Sequence, residues 1–121
     1  GLSYSKYEYG EVALDKSEMN ENGTVTASVK VTNVSDVDGE EIVQLYIHDK
    51  IRSITPPVKE LKGYRRVALK AGESKIVQFT IDSQLLKFYN SELQFVAEPG
   101  EFEVMIGGSS DNVKKAVLTL K

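Results

Sequence analysis

Between Asn22-Gly23 and Asn33, Val25, Ala27, Val29 and Val31 alternate with Thr26, Ser28, Lys30 and Thr32. A period of two is the period of a strand with one buried face and one wet face. A helix cannot use this pattern, because apolar residues two apart would be spread around its circumference. The segment commits the chain to a sheet with one covered face, and such a sheet needs a second layer to cover it.

The same period recurs down the chain. Val43, Leu45 and Ile47 face one way, with Gln44, Tyr46 and His48 opposite. Val67 and Leu69, then Val77, Phe79 and Ile81, then Phe102, Val104 and Ile106 repeat it, and residues 113–120 form a last strand. Tyr4–Leu14 is β-prone and broken by Gly10, as a bulge would break it. Leu93 and Phe95 give a short strand up to Ala97. Turn chemistry separates these runs: Asn22-Gly23, residues 33–40, Lys70–Glu73 and Pro99-Gly100. Gly107 to Asp111 reads as a loose hairpin loop. Residues 83–89 are too short for a stable helix and read as one helical turn capped by Asp82 or Ser83. Lys62, Arg65 and Arg66 suit an edge strand guarded against further pairing. Seven or eight short strands without an amphipathic helix predict an all-β, immunoglobulin or fibronectin type III-like antiparallel β-sandwich.

Composition narrows the function classes. With 121 residues the chain is one domain by length. It has no cysteine, so disulfides, thiol nucleophiles and cysteine-ligated metals are excluded. Burial of about fifteen Val, Leu, Ile and Phe side chains at ~1.5–3 kcal/mol each can hold the fold without them. The net charge of −3, from 15 basic and 18 acidic side chains, gives no electrostatic footprint for nucleic acid or an anionic membrane. No apolar run reaches the roughly 18–20 residues of a membrane span.

Few residues suggest chemistry. The carboxylates Glu8, Glu11, Asp36, Asp38, Glu40, Glu41, Glu98, Glu101 and Glu103 read as a solvated surface rather than a facing catalytic pair. Asp36-Val37-Asp38-Gly39-Glu40 echoes the start of a calcium loop but lacks its later ligands. His48, the single histidine, reads as a surface residue at a strand end. Gly107-Gly108 opens no helix and has no Lys-Ser/Thr sequel, so it is no phosphate cradle. Tyr46 and Tyr64 point away from the core, either as a sugar platform or as rings buried against a neighbouring domain. Asn22-Gly23-Thr24 and Asn33-Val34-Ser35 both match the N-glycosylation pattern. No cofactor is implied.

The blocks VQLYIHD, PPVKELKGYRRVAL, KAGES, IVQFTI, LLKFYN and VAEPGEFEVMIGGSS occur in that order. Together they resemble the C-terminal fibronectin type III-like domain of family 3 glycoside hydrolases, the β-glucosidase and β-xylosidase group. The likeness covers nearly the whole chain, and GLSYSKYEY resembles the segment leading from the catalytic domains into this one. The resemblance implies residues 1–10 as a linker and 11–121 as the sandwich. It places the catalytic aspartate and the acid/base glutamate in upstream domains, so no residue here inherits a catalytic role. It implies a periplasmic or secreted parent. The beginning at Gly1 fits a domain cut from something longer.

Three functions follow as expectations. The first is a non-catalytic accessory domain that packs on the catalytic domains of the same polypeptide through Tyr4, Tyr7, Ile51, Ile54, Pro56, Pro57 and Tyr64. The second is a carbohydrate-binding module using Tyr46 and Tyr64. The third is a free-standing immunoglobulin-like interaction domain. Many fibronectin type III modules carry a tyrosine two residues after the Pro-Gly turn; Phe102 stands there, and Phe102→Tyr is expected to be neutral within about 1 kcal/mol.

Overall fold

The computed structural model describes residues 6–49, 60–89, 95–97, 99–109 and 112–121. Tyr4, Ile51, Ile54, Pro56, Pro57, Leu93 and Glu98 lie outside the described residues. The first sheet has β4 (Thr24–Asn33) at its centre. On one side β4 pairs antiparallel with β1 (Tyr7–Tyr9) and β2 (Ala13–Leu14), and on the other with β7 (Ser74–Asp82). Between the Tyr9–Val31 and Ala13–Ser28 partners the register slips by one residue. Gly10 N still donates to Lys30 O at 2.9 Å, so the irregularity expected near Gly10 falls just after it.

The second sheet runs β3 (Glu18–Met19), β11 (Asn112–Leu120), β10 (Gly100–Ser109), β5 (Gly39–Asp49), β6 (Glu60–Leu69). All its pairings are antiparallel except the short β3–β11 contact, which is parallel. A small third ladder joins β8 (Phe88–Tyr89) to β9 (Phe95–Val96). The six long strands make the body of the sandwich, and the two- and three-residue pieces trim its edges.

The inward sets meet as the alternation requires. Val25, Val29, Val31, Phe79 and Ile81 from one sheet lock against Val43, Leu45, Phe102, Val104, Ile106 and Leu118 from the other. Phe102 is among the largest fully enclosed side chains. A tyrosine hydroxyl there would lose water and cost about 1–3 kcal/mol unless a partner came within reach, so the neutral expectation for Phe102→Tyr is revised.

Two local readings change, and one is sharpened. Asn33, expected in a turn, is fully buried. Its Nδ2 donates to Val37 O at 2.8 Å and Leu69 O at 3.1 Å, and its Oδ1 accepts Ser35 N and Ser35 Oγ. It ties the end of β4 to the end of β6, and its amide nitrogen is not available as a glycan acceptor. Residues 107–109 are strand rather than loose loop: β10 runs to Ser109 and its register shifts between Gly107 and Ser109. A Cβ on Gly108 would sit 2.9 Å from Glu41 Oε2, so a side chain here would force that carboxylate to shift from its place beside the Tyr9 hydroxyl. The helical turn expected after β7 is a run of i→i+3 bonds from Asp82 to Lys87, and Asp82 Oδ1 caps it by accepting Leu85 N at 3.1 Å.

Candidate docking face

The outer face of the second sheet is built by register. In β5 and β10 the residues between the core positions point outward. His48 therefore lies opposite Glu103, and Tyr46 opposite Met105. On β6 a one-residue shift between Leu45 and Tyr46 makes Lys62 the extra residue. That bulge sets Leu61 opposite Tyr46 and Tyr64 opposite Gln44, both outward. Gly63 and Arg65 then fall on the inward side, where Arg65 lies 5.0 Å from the Phe79 ring centroid. β6 is an edge strand of its sheet, as its basic residues suggest.

The result is an apolar patch with a polar border. Tyr64 is 62% exposed and Leu61 54%. Tyr46 is half-buried and donates its hydroxyl to Gln44 Oε1, so its ring lies beside the position opposite Tyr64. Met105, opposite Tyr46, is only 1% exposed although it stands outside the main core cluster, so this part of the outer face is already covered within the chain. Val117, exposed, is opposite Glu103 on β11.

The border is ionic. His48 Nδ1 and Glu103 Oε1 are 2.9 Å apart, and Lys115 Nζ reaches the other oxygen at 3.9 Å. A carboxylate partner requires the proton on Nδ1, which leaves Nε2 as the opposite end of the ring. Nε2 is buried and has no hydrogen-bond partner among the described residues. His48 is thus half-buried and hydrogen-bonded to Glu103, not the plain surface residue expected from its place in the sequence.

The remaining sequence candidates fall elsewhere. Tyr7 is half-buried on the inward side of β1 and packs against the core. It lines an open groove of ≈ 420 Å³ with Glu8, Tyr9, Val113 and Lys114. Glu41 is not part of a solvated face: it bridges the sheets, its Oε2 accepting the Tyr9 hydroxyl at 2.9 Å. Burial, followed by that bond to Glu41, pushes the Tyr9 phenol well above its ordinary 10.0. Asp38 Oδ1 accepts Ala71 N at 2.9 Å and so pins two turns together. Tyr46 and Tyr64 do share one face, as expected. Leu61, Met105 and Val117 were missed. The signal for Met105 was present: Val104-Met105-Ile106 is an unbroken apolar run, the mark of a strand covered on both faces.

Comparison with known proteins places the chain. The family profile of the fibronectin type III-like domain matches residues 41–110. The chain belongs to this family. Its relatives are family 3 β-glucosidases and β-xylosidases. A periplasmic β-glucosidase of Salmonella typhimurium is 43% identical over 120 residues, which is 99% of this chain and 16% of that protein. A β-xylosidase of Formosa agariphila is 43% identical over 123 residues, covering 100% of this chain and 17% of its own length. The crystal structure of a β-glucosidase from Listeria innocua superposes with a TM-score of 0.84 at 40% identity, over 99% of this chain and 16% of that one. The fibronectin type III-like domain therefore spans about a sixth of the relatives it matches.

Proposed function

We propose that this fibronectin type III-like domain is the non-catalytic accessory domain of a β-glucosidase-like glycoside hydrolase, packing on the catalytic domains of the same polypeptide and stabilising them. The observation that carries the reading is coverage: 99–100% of this chain aligns with 16–17% of β-glucosidases and β-xylosidases. The exposed Leu61 and Tyr64, beside the half-buried Tyr46, support it, because large apolar side chains left together on one face are what a covered interface shows when uncovered. Residues 1–10 are the linker from the catalytic domains, with Tyr7–Tyr9 laid along β4. The periplasmic address of the Salmonella relative supports a periplasmic or secreted parent.

The test has two arms. The purified chain is assayed with aryl glucosides, and no turnover is expected. In the full polypeptide, removal of the domain or Tyr64→Lys is expected to lower the melting temperature of the catalytic part. Turnover by the chain alone that vanishes with a carboxylate variant would overturn the non-catalytic reading; an unchanged melting temperature would overturn the packing role.

A second reading, a carbohydrate-binding module, has one observation in its favour: Tyr46 and Tyr64 lie on one face as diagonal cross-strand neighbours. Glucan binding lost on Tyr64→Ala would establish it, and silence across soluble and insoluble glucans would remove it.

A further inference from the structure

Residues 20–23 carry the chain from β3 in one sheet to β4 in the other. Asn22 is exposed in this crossing. Its backbone N donates to Asn20 Oδ1 at 3.1 Å, and Gly23 N donates to Asn20 O at 3.0 Å. Among the described residues no hydrogen bond holds the Asn22 side chain. The positive-φ glycines are Gly72 and Gly100, so Gly23 does not owe its place to a left-handed backbone. What Gly23 does is leave its own nitrogen without a flanking side chain, directly after an unrestrained asparagine amide.

We propose that Asn22 is a site of spontaneous, backbone-assisted deamidation. The deprotonated Gly23 nitrogen attacks Asn22 Cγ. The N–Cγ bond forms, the Cγ–Nδ2 bond breaks, and Nδ2 leaves as ammonia with the displaced proton. Water opens the resulting succinimide at either carbonyl, giving aspartate or isoaspartate. Nothing is oxidised or reduced, and one water is consumed. The Gly23 to Asn20 bond must open first, and it lies in an exposed turn where opening is cheap.

Two other asparagines, Asn33 and Asn20, frame the choice. Asn33 precedes Val34, is buried, and has its Nδ2 donated twice. Asn20 precedes Glu21, and its Oδ1 is already an acceptor for Asn22 N. The consequence falls on the fold's crossing point. Isoaspartate inserts a methylene into the main chain just before β4, the strand that pairs with β1, β2 and β7. Either product adds a negative charge beside Glu21 to a chain already at −3.

The experiment incubates the whole chain at neutral and mildly alkaline pH and follows the tryptic peptides Ser17–Lys30, which holds Asn20 and Asn22, and Val31–Lys50, which holds Asn33, by fragmentation mass spectrometry. Isoaspartate is read by enzymatic methylation. The expected result is the amide-to-acid mass gain at Asn22, faster at the higher pH, with methylation rising in step and Asn33 unchanged. In Gly23→Ala the rate at Asn22 is expected to fall to that at Asn20. A Cβ there lies in ordinary contact with Asn20 backbone O and N, at 3.5 and 3.6 Å, and closer, at 3.2 Å, to Asn20 Oδ1, a side-chain end that has to give by a few tenths of an ångström. Equal rates at Asn20 and Asn22 in the parent chain, or an unchanged rate in Gly23→Ala, would overturn the proposal.

Discussion

Ile76 and Tyr64 are almost equally exposed, at 61% and 62%, yet they stand in different company. Ile76 lies on the outer face of the first sheet, opposite Lys30. That face also carries Thr26, Ser28, Thr32, Ser74, Gln78 and Thr80, four of which bond in pairs: Thr32 Oγ1 with Ser74 Oγ at 2.7 Å, and Gln78 Nε2 to Ser28 Oγ at 3.4 Å. Tyr64 lies on the outer face of the second sheet with Leu61, Tyr46 and the enclosed Met105. A single exposed apolar residue needs no explanation, whereas a contiguous group does. Exposure alone does not distinguish the two faces; neighbours do. We read the first face as finished in water and the second as made to be covered.

The contrast presupposes that the sheets stay in register, and Asn33 is the clamp most open to attack. Asn33→Ala is expected to cost roughly 3 kcal/mol in denaturant melts, since it removes the Nδ2 donor of the buried Leu69 O, one of the two side-chain donors at Val37 O, and the acceptor of Ser35 N. A loss near zero would mean that water replaces the amide. Phe102→Tyr comes next, at about 1–3 kcal/mol by the same assay. A neutral result would show that the core beneath the second sheet is wetter than its packing implies.

Tyr64→Lys bears on the comparison directly. In the isolated chain the change is expected to stay within about 0.5 kcal/mol. In the full polypeptide it is expected to cost about 1–2 kcal/mol, as a buried aromatic anchor would. Equal effects in the two settings would erase the distinction between the faces. Tyr9→Phe tests the bridge between the sheets and is expected to cost about 1 kcal/mol near neutral pH. Because the Tyr9 phenol is raised in the folded state, its contribution is present below its ordinary 10.0 and fades as pH rises above that value. Alkaline melts of Tyr9→Phe should therefore fall off less steeply than those of the parent chain. Ile76→Thr is the smallest effect, within about 0.5 kcal/mol alone and in the full polypeptide. A larger loss in the full polypeptide would mean that the first face is covered as well.

Much of this was legible in the residues. The alternation in β4, β5, β7 and β10 named the inward positions correctly, because a strand's two faces are set by parity alone. The guarded edge at β6 was readable from Lys62, Arg65 and Arg66. The common orientation of Tyr46 and Tyr64 was readable too, but not the patch around them. Leu61 joins that patch only because the bulge at Lys62 shifts its parity relative to Gly63. His48 looked like a surface residue until Glu103 arrived from a strand 55 residues away.

The sequence by itself determined that the chain is a two-layer β-sandwich, which positions face its core, and, through its motif blocks, the family to which it belongs. These follow from local periodicity, turn chemistry and the order of short segments. The tertiary structure alone decided the roles of Asn33, Glu41 and Gly108. Asn33 is a buried clamp, Glu41 is a bridge to Tyr9, and Gly108 is the gap that lets that bridge close. Their partners lie on strands distant in sequence. A polar residue's role depends on what it meets when water is removed, and only the packed fold sets those meetings.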